Sequence, residues 1–175
     1  MTKKMIFILS ALLMSGLSMP VFADNLQFTG KLIIPDCTVN HNNALIVDWQ
    51  DVEIQSLSKK NTGYHEKEVV VPLDCPYQWG KPKLKIIADM HTTAGEQGIK
   101  TTKYNEGLLI YLRTGRGQPW ISNSGQYYDI PAEGISGSGG NTALKLYAYL
   151  GRYKEIADLT PGPFRASANM EVRYD

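Results

Sequence analysis

The chain has 175 residues, 18 basic and 17 acidic side chains, and a formal net charge of +1. That balance carries neither the basic footprint of a nucleic-acid binder nor the charge for electrostatic membrane contact. The length supports one domain with a sizeable core.

Lys3 and Lys4 precede an apolar run from Met5 to Leu13, and Val21-Phe22-Ala23 offers slim residues where a signal peptidase reads. Residues 1–23 are therefore expected to be a secretory signal cleaved before Asp24. Their apolar stretch is too short for a retained bilayer span. No cysteine sits at the cleavage point, which argues against a lipid anchor. An exported chain enters an oxidising space, so Cys37 and Cys75, the two cysteines present, are expected to pair. Such a loop gains about 4 kcal/mol in the chain-entropy picture. Neither cysteine belongs to a set of closely spaced Cys and His of the size a metal site needs.

Past the signal, strand follows strand. Leu26, Phe28, Gly30, Leu32 and Ile34 share one parity, with polar residues from Asn25 to Lys31 on the other. Strands are expected over Asp36–Val39, Leu45–Trp49, Val52–Ile54, Lys67–Cys75, Leu84–Ala88, Leu108–Arg113, Tyr127–Ile130 and Ala143–Leu150. Lys59–Gly63 reads as a polar loop, Thr92–Asn105 as mobile, and Gly134–Gly140 as a hairpin tip. Tyr153–Leu159 has room for one helical turn.

The last strand is the most regular. Phe164, Ala166, Ala168, Met170, Val172 and Tyr174 alternate with Arg165, Ser167, Asn169, Glu171 and Arg173. A half-buried strand has this period. With no strand following it before Asp175, one of its edges is expected to lack a partner within the chain. Short strands, turn residues and a disulfide together predict an antiparallel β-sandwich.

No catalytic, cofactor or metal constellation emerges. His41, His65 and His91 read as isolated residues of polar loops. Gly134–Gly140 lacks the Lys-Ser/Thr ending of a phosphate loop, and Ser122 and Ser124 occupy no Gly-x-Ser-x-Gly elbow. Trp120, Tyr127 and Tyr128 are placed in the core or a loop cover in preference to a sugar platform.

Together these features resemble one family, the pilin subunits of chaperone–usher fimbriae in Gram-negative bacteria. The motifs are Gly162 fourteen residues from the end, the alternating final strand, and the penultimate Tyr174. Cys37 follows within Ile34-Pro35-Asp36-Cys37-Thr38-Val39-Asn40, Cys75 within Leu73-Asp74-Cys75-Pro76-Tyr77, and Leu45–Trp49 matches the second core segment. The likeness is strongest to the minor, adaptor-type subunits of P-type tip fibrillae.

The resemblance implies an immunoglobulin-like sandwich lacking its last strand and completed by a strand from another molecule. Residues 24–33 would be a donor-strand extension and 34–175 the pilin domain. Leu26, Phe28, Gly30 and Leu32 would enter a neighbour's groove. Gly162, Phe164, Ala166, Ala168, Met170, Val172, Tyr174 and Asp175 would form the edge of this chain's own groove and its chaperone contact. The implied partners are a periplasmic chaperone, the outer-membrane usher, neighbouring subunits and the tip adhesin, on a path through the periplasm to a surface fimbrium. A rod or terminator subunit is the alternative within the family. A secreted carbohydrate-binding sandwich is the alternative outside it.

Overall fold

Period-two alternation between turn residues dictates strands, and the computed structural model is built from them. It describes residues 26–93, 96–138 and 141–175, so the expected signal segment 1–23 lies outside the described residues. The chain divides into two units, Met1–Leu32 and Ile33–Asp175. In the first, residues 26–32 are exposed and have no regular secondary structure.

The second unit is two antiparallel sheets. Its strands are β1 (Thr38–Val39), β2 (Tyr64–Asp74), β3 (Pro82–Ala88), β4 (Met90–Thr93), β5 (Glu96–Lys100), β6 (Leu108–Arg113), β7 (Tyr127–Asp129), β8 (Ile135–Ser138), β9 (Asn141–Arg152) and β10 (Ala168–Tyr174). One sheet runs β1-β2-β9-β6-β5-β4, and the other runs β10-β3-β7. β9 is long enough to hold β2 along one edge and β8 and then β6 along the other. Its central place follows from composition, since Ala143–Leu150 is apolar on both parities and can be covered on both faces.

Inward-facing Val71, Leu84, Leu144 and Val172 are fully buried between the sheets. The Cys37–Cys75 disulfide forms as expected and ties the start of β1 to the end of β2. At the opposite end, the buried Arg152 guanidinium donates to the carbonyls of Leu57, Ser58 and Lys154 at 2.5–2.6 Å. A buried cation needs such acceptors.

Several expectations change. The 26–36 segment forms no strand, because alternation needs a partner edge and it has none among the described residues. Leu45–Trp49 and Val52–Ile54 lie outside any ladder. Instead, Trp49 Nε1 donates to His65 O at 2.7 Å, and Asp48 Oδ1 accepts from Gln50 N at 2.8 Å. The stretch expected to be mobile holds the β4–β5 hairpin, in register from Met90–Ile99 to Thr93–Glu96. Its Thr and Gly content masked a strand pattern that the neighbouring β6 completes. His65 and His91 are strand residues, not loop residues: His65 adopts φ 52° where β2 breaks register, and His91 lies half-buried in β4, stacked on Tyr153. The turn expected within Tyr153–Leu159 is a 3-10 turn at Ile156–Asp158.

Candidate assembly groove

β10 is where the chain's own pairing runs short. Along one edge it is in full register with β3, from Ala168–Ala88 to Tyr174–Pro82. Along the other, Val172 O accepts from Cys37 N at 2.8 Å, and no further rung follows toward Ala168 among the described residues. Ladder pairing begins at Ala168 and not at Phe164. Before it, Arg165 is diverted to the 101–106 turn: Arg165 O accepts from Thr102 N at 2.8 Å, and Arg165 N donates to Thr102 Oγ1 at 3.1 Å.

Burial grades along the same edge. Val172 and Tyr174 are buried, Met170 is partly buried, and Ala168 and Ala166 are exposed. Phe164 is half-buried, with its ring 6.4 Å from Trp49. Core-facing Val39 and Val69 are likewise only partly covered. This is the burial expected where a sandwich has inward-facing side chains but no strand across them.

Of the expected groove residues, Ala168, Met170, Val172 and Tyr174 share one face of β10, and the others lie beyond its ends. Gly162 has φ 139°, and a Cβ there would meet nothing nearer than Lys103 Cε at 3.7 Å, so backbone conformation and not crowding favours glycine. Asp175 is doubly tied to Lys81, its O accepting from Lys81 N at 2.8 Å and its N donating to Lys81 O at 3.1 Å. Its carboxylate faces Arg173 at 3.2 Å and Lys83 at 3.7 Å. Beside it, Lys85 pairs with Glu171 on the facing strand, which holds its ammonium above the ordinary lysine range.

The expected donor residues lie in the other unit. Leu26, Phe28 and Leu32 are 71%, 85% and 103% exposed. Gly30 has no atom within 4 Å of the place a Cβ would occupy. Three large apolar side chains on one parity, each left to solvent, are an anomaly for a chain with no partner.

Two features escaped the sequence reading. A clamp holds the approach to β10: the Glu106 carboxylate accepts from Lys103 Nζ at 2.9 Å and from Thr160 N and Oγ1 at 2.8 Å each. Lys103, then Thr160, hold this carboxyl down at about 2. The residues lie 54 positions apart, and no local pattern announces the contact. Second, the outer face of β6 and β9 carries Leu109, Tyr111, Tyr147 and Tyr149 under Trp120. The Arg113 guanidinium stacks 3.5 Å from the Trp120 ring. Glu66 accepts from Arg116 and from the Tyr149 hydroxyl, and Arg116, then Tyr149, keep its carboxyl below the usual range. Burial, then Glu66, pushes the Tyr149 hydroxyl up to about 12. Trp120 itself takes the loop-cover place expected of it, and what escaped is the set of Arg113, Arg116 and Glu66 around it. Tyr127 stacks under Arg173, and the Tyr128 hydroxyl accepts from Ser122 N and Asn123 N.

Among the described residues no group of three or more His, Cys, Asp or Glu is placed to hold a metal ion, and no helix is long and apolar enough to cross a membrane.

A family model described as fimbrial protein matches residues 26–175. Fimbrial protein PrsE of Escherichia coli is 35% identical over 159 residues, covering 87% of this chain and 86% of PrsE. The fimbrial adapter PapF of Escherichia coli is 23% identical over 163 residues, covering 90% and 92%. Among solved structures, the P pilus rod subunit PapA superposes with a TM-score of 0.58 at 16% identity, covering 86% of this chain and 99% of PapA. At that identity the superposition establishes the sandwich fold.

Proposed function

The chain belongs to the fimbrial protein family, and from that premise we propose that it is a minor, adaptor-type subunit of a chaperone–usher fimbria, joined to its neighbours by strand exchange. One observation carries this reading: among the described residues β10 has a full ladder on one edge and a single rung on the other, while the same chain exposes the apolar row Leu26, Phe28 and Leu32. An open edge beside half-covered core residues takes an added strand, with main-chain bonds giving affinity and alternate side chains giving fit.

In this reading the periplasmic chaperone lends a strand to the β10 edge, with Tyr174 and Asp175 at the end of its contact. At the outer-membrane usher, another subunit's extension replaces it. This chain's Leu26, Phe28 and Leu32 then enter a neighbour's groove, and Gly30 lets the two backbones approach closely. Burying the three large side chains contributes about 5–9 kcal/mol at roughly 1.5–3 each. The joint forms from folding left incomplete and needs no nucleotide. Residues 1–23 direct export, and the product is a surface fimbrium that includes the tip adhesin.

The test is co-purification from periplasm with the chaperone, followed by mixing with chaperone-bound neighbouring subunits. A wild-type chain exchanges its chaperone for a subunit extension. A chain that leaves the chaperone as a folded monomer and never pairs contradicts the proposal.

A further inference from the structure

Trp79 and Tyr77 are the exposed aromatic side chains of the loop between β2 and β3, at 80% and 38%. The loop itself is held. Gln78 Nε2 donates to Cys75 O at 3.4 Å and to Thr142 Oγ1 at 3.2 Å. Lys81 pairs its backbone with Asp175 in both directions. Gly80 has φ 97°, and a Cβ there would lie 2.7 Å from Asp175 O, so the loop presses against the end of β10. A fixed loop that presents an uncovered tryptophan has the form of a contact surface, since tryptophan combines a large apolar body with one hydrogen-bond donor.

Its location identifies the occupant. Cys75 at the base of the loop is bonded to Cys37, whose backbone N–H also donates to Val172 O. Residues 26–36 precede Cys37, so the aromatic loop lies at the end of the sandwich from which the extension leaves. From Leu32 to Cys37 is five residues, at most about 18 Å at full stretch. Pro35 restricts that tether further. Ile33 and Ile34 along it are 69% and 45% exposed, extending the apolar surface of this end. A body that takes Leu32 into its groove is thereby held within about 18 Å of Cys37, at the same end of the sandwich as this loop.

We propose that Tyr77 and Trp79 dock on the body of the subunit that receives this chain's Leu26–Leu32 segment, adding an aromatic contact between bodies to the strand joint. The inference rests on the donor role given above to residues 26–32. It assigns the receiving subunit an apolar patch, with a hydrogen-bond acceptor for an indole N–H, beside the mouth of its groove.

Photo-cross-linking in fimbriae assembled by the full chain separates the two ideas. Leu26→p-benzoylphenylalanine identifies the receiving subunit, and Trp79→p-benzoylphenylalanine is expected to capture that same subunit. The same group at Lys60, in the loop before β2 and at the opposite end of that strand, is expected to give at least tenfold less of that product. Capture by residue 26 without capture by residue 79, or equal capture from residue 60, overturns the docking and leaves the donor role intact. No capture of any subunit by residue 26 overturns both. Because Trp79 is exposed, its replacement is expected to leave disulfide formation and chaperone co-purification unchanged, and the cross-linking is read on protein that passes both checks.

Discussion

The outer face of β6 and β9 and the row Leu26–Leu32 are both apolar products of strand alternation, yet the chain covers only the first. Tyr111, Tyr147 and Tyr149 lie under Trp120, with their polar neighbourhood tied up by Arg113, Arg116 and Glu66. Leu26, Phe28 and Leu32 stay in solvent, and among the described residues β10 keeps an edge with one rung. The loop that leaves β6 at Arg113 can fold back over its own strand, so closure there is local. The row 26–32 and the edge of β10 each lack what the other type of surface supplies. In the proposed assembly that closure is deferred to another molecule.

The sharpest way to break the contrast is Phe28→Asp. Incorporation into fimbriae is expected to be lost, while the melt of the chaperone-bound protein shifts by no more than about 0.5 kcal/mol, as for a surface change. Fimbrial yield and the melt of the chaperone complex read the two effects. Fimbriae of normal yield would remove the donor role.

Next in size, replacing Cys37 and Cys75 together by serine is expected to destabilise the folded sandwich by about 4 kcal/mol in denaturant titration of the chaperone complex. The bond holds β1 beside β2 where Cys37 N donates to Val172 O. Loss of the pair is expected to weaken chaperone binding as well.

On the self-covered face, Trp120→Ala is expected to cost about 2–3 kcal/mol, from lost burial and the stacked Arg113. It is expected to leave fimbrial incorporation in place, provided the protein still folds. The same denaturant titration and fimbrial yield check both halves, and a loss of exchange by folded protein would tie this face to assembly.

The smallest effect is one of pH. Lys103 and Thr160 hold the Glu106 carboxyl at about 2 against an ordinary 4.5. A depressed folded value means the contribution is complete above about 4.5 and is lost as pH falls from there toward 2. Glu106→Gln is expected to flatten the melting temperature across that window. An unchanged profile would show that the clamp on the approach to β10 is not stabilising.

The sandwich was legible because β2, β6, β9 and β10 each carry enough Val, Leu, Ile and Tyr at period two to name a buried face. The disulfide was legible from compartment and count. β4 and β5 were not, since Met90–Thr93 and Glu96–Lys100 become strands by pairing beside β6, a contact that local pattern does not encode. Leu45–Trp49 failed in the other direction: its apolar pattern is that of a strand, but its tie to β2 runs through Trp49 and His65. Alternation from Phe164 to Tyr174 marked one face, of which Ala168–Tyr174 forms the strand, while 164–167 leave the ladder because Arg165 bonds to Thr102 instead. The clamp from Lys103 and Glu106 to Thr160 was not, because its members meet only after the fold forms.

The central claim is that the β10 edge is completed by a strand from another molecule. Its most direct measurement is unfolding of oxidised residues 34–175, freed of chaperone, compared with the same chain carrying a copy of residues 24–33 fused after Asp175 through a flexible linker. The account predicts aggregation or a broad, uncooperative melt for the first and a soluble monomer with a sharp, reversible transition for the second. A soluble, cooperatively unfolding monomer from residues 34–175 without the fused strand would contradict it.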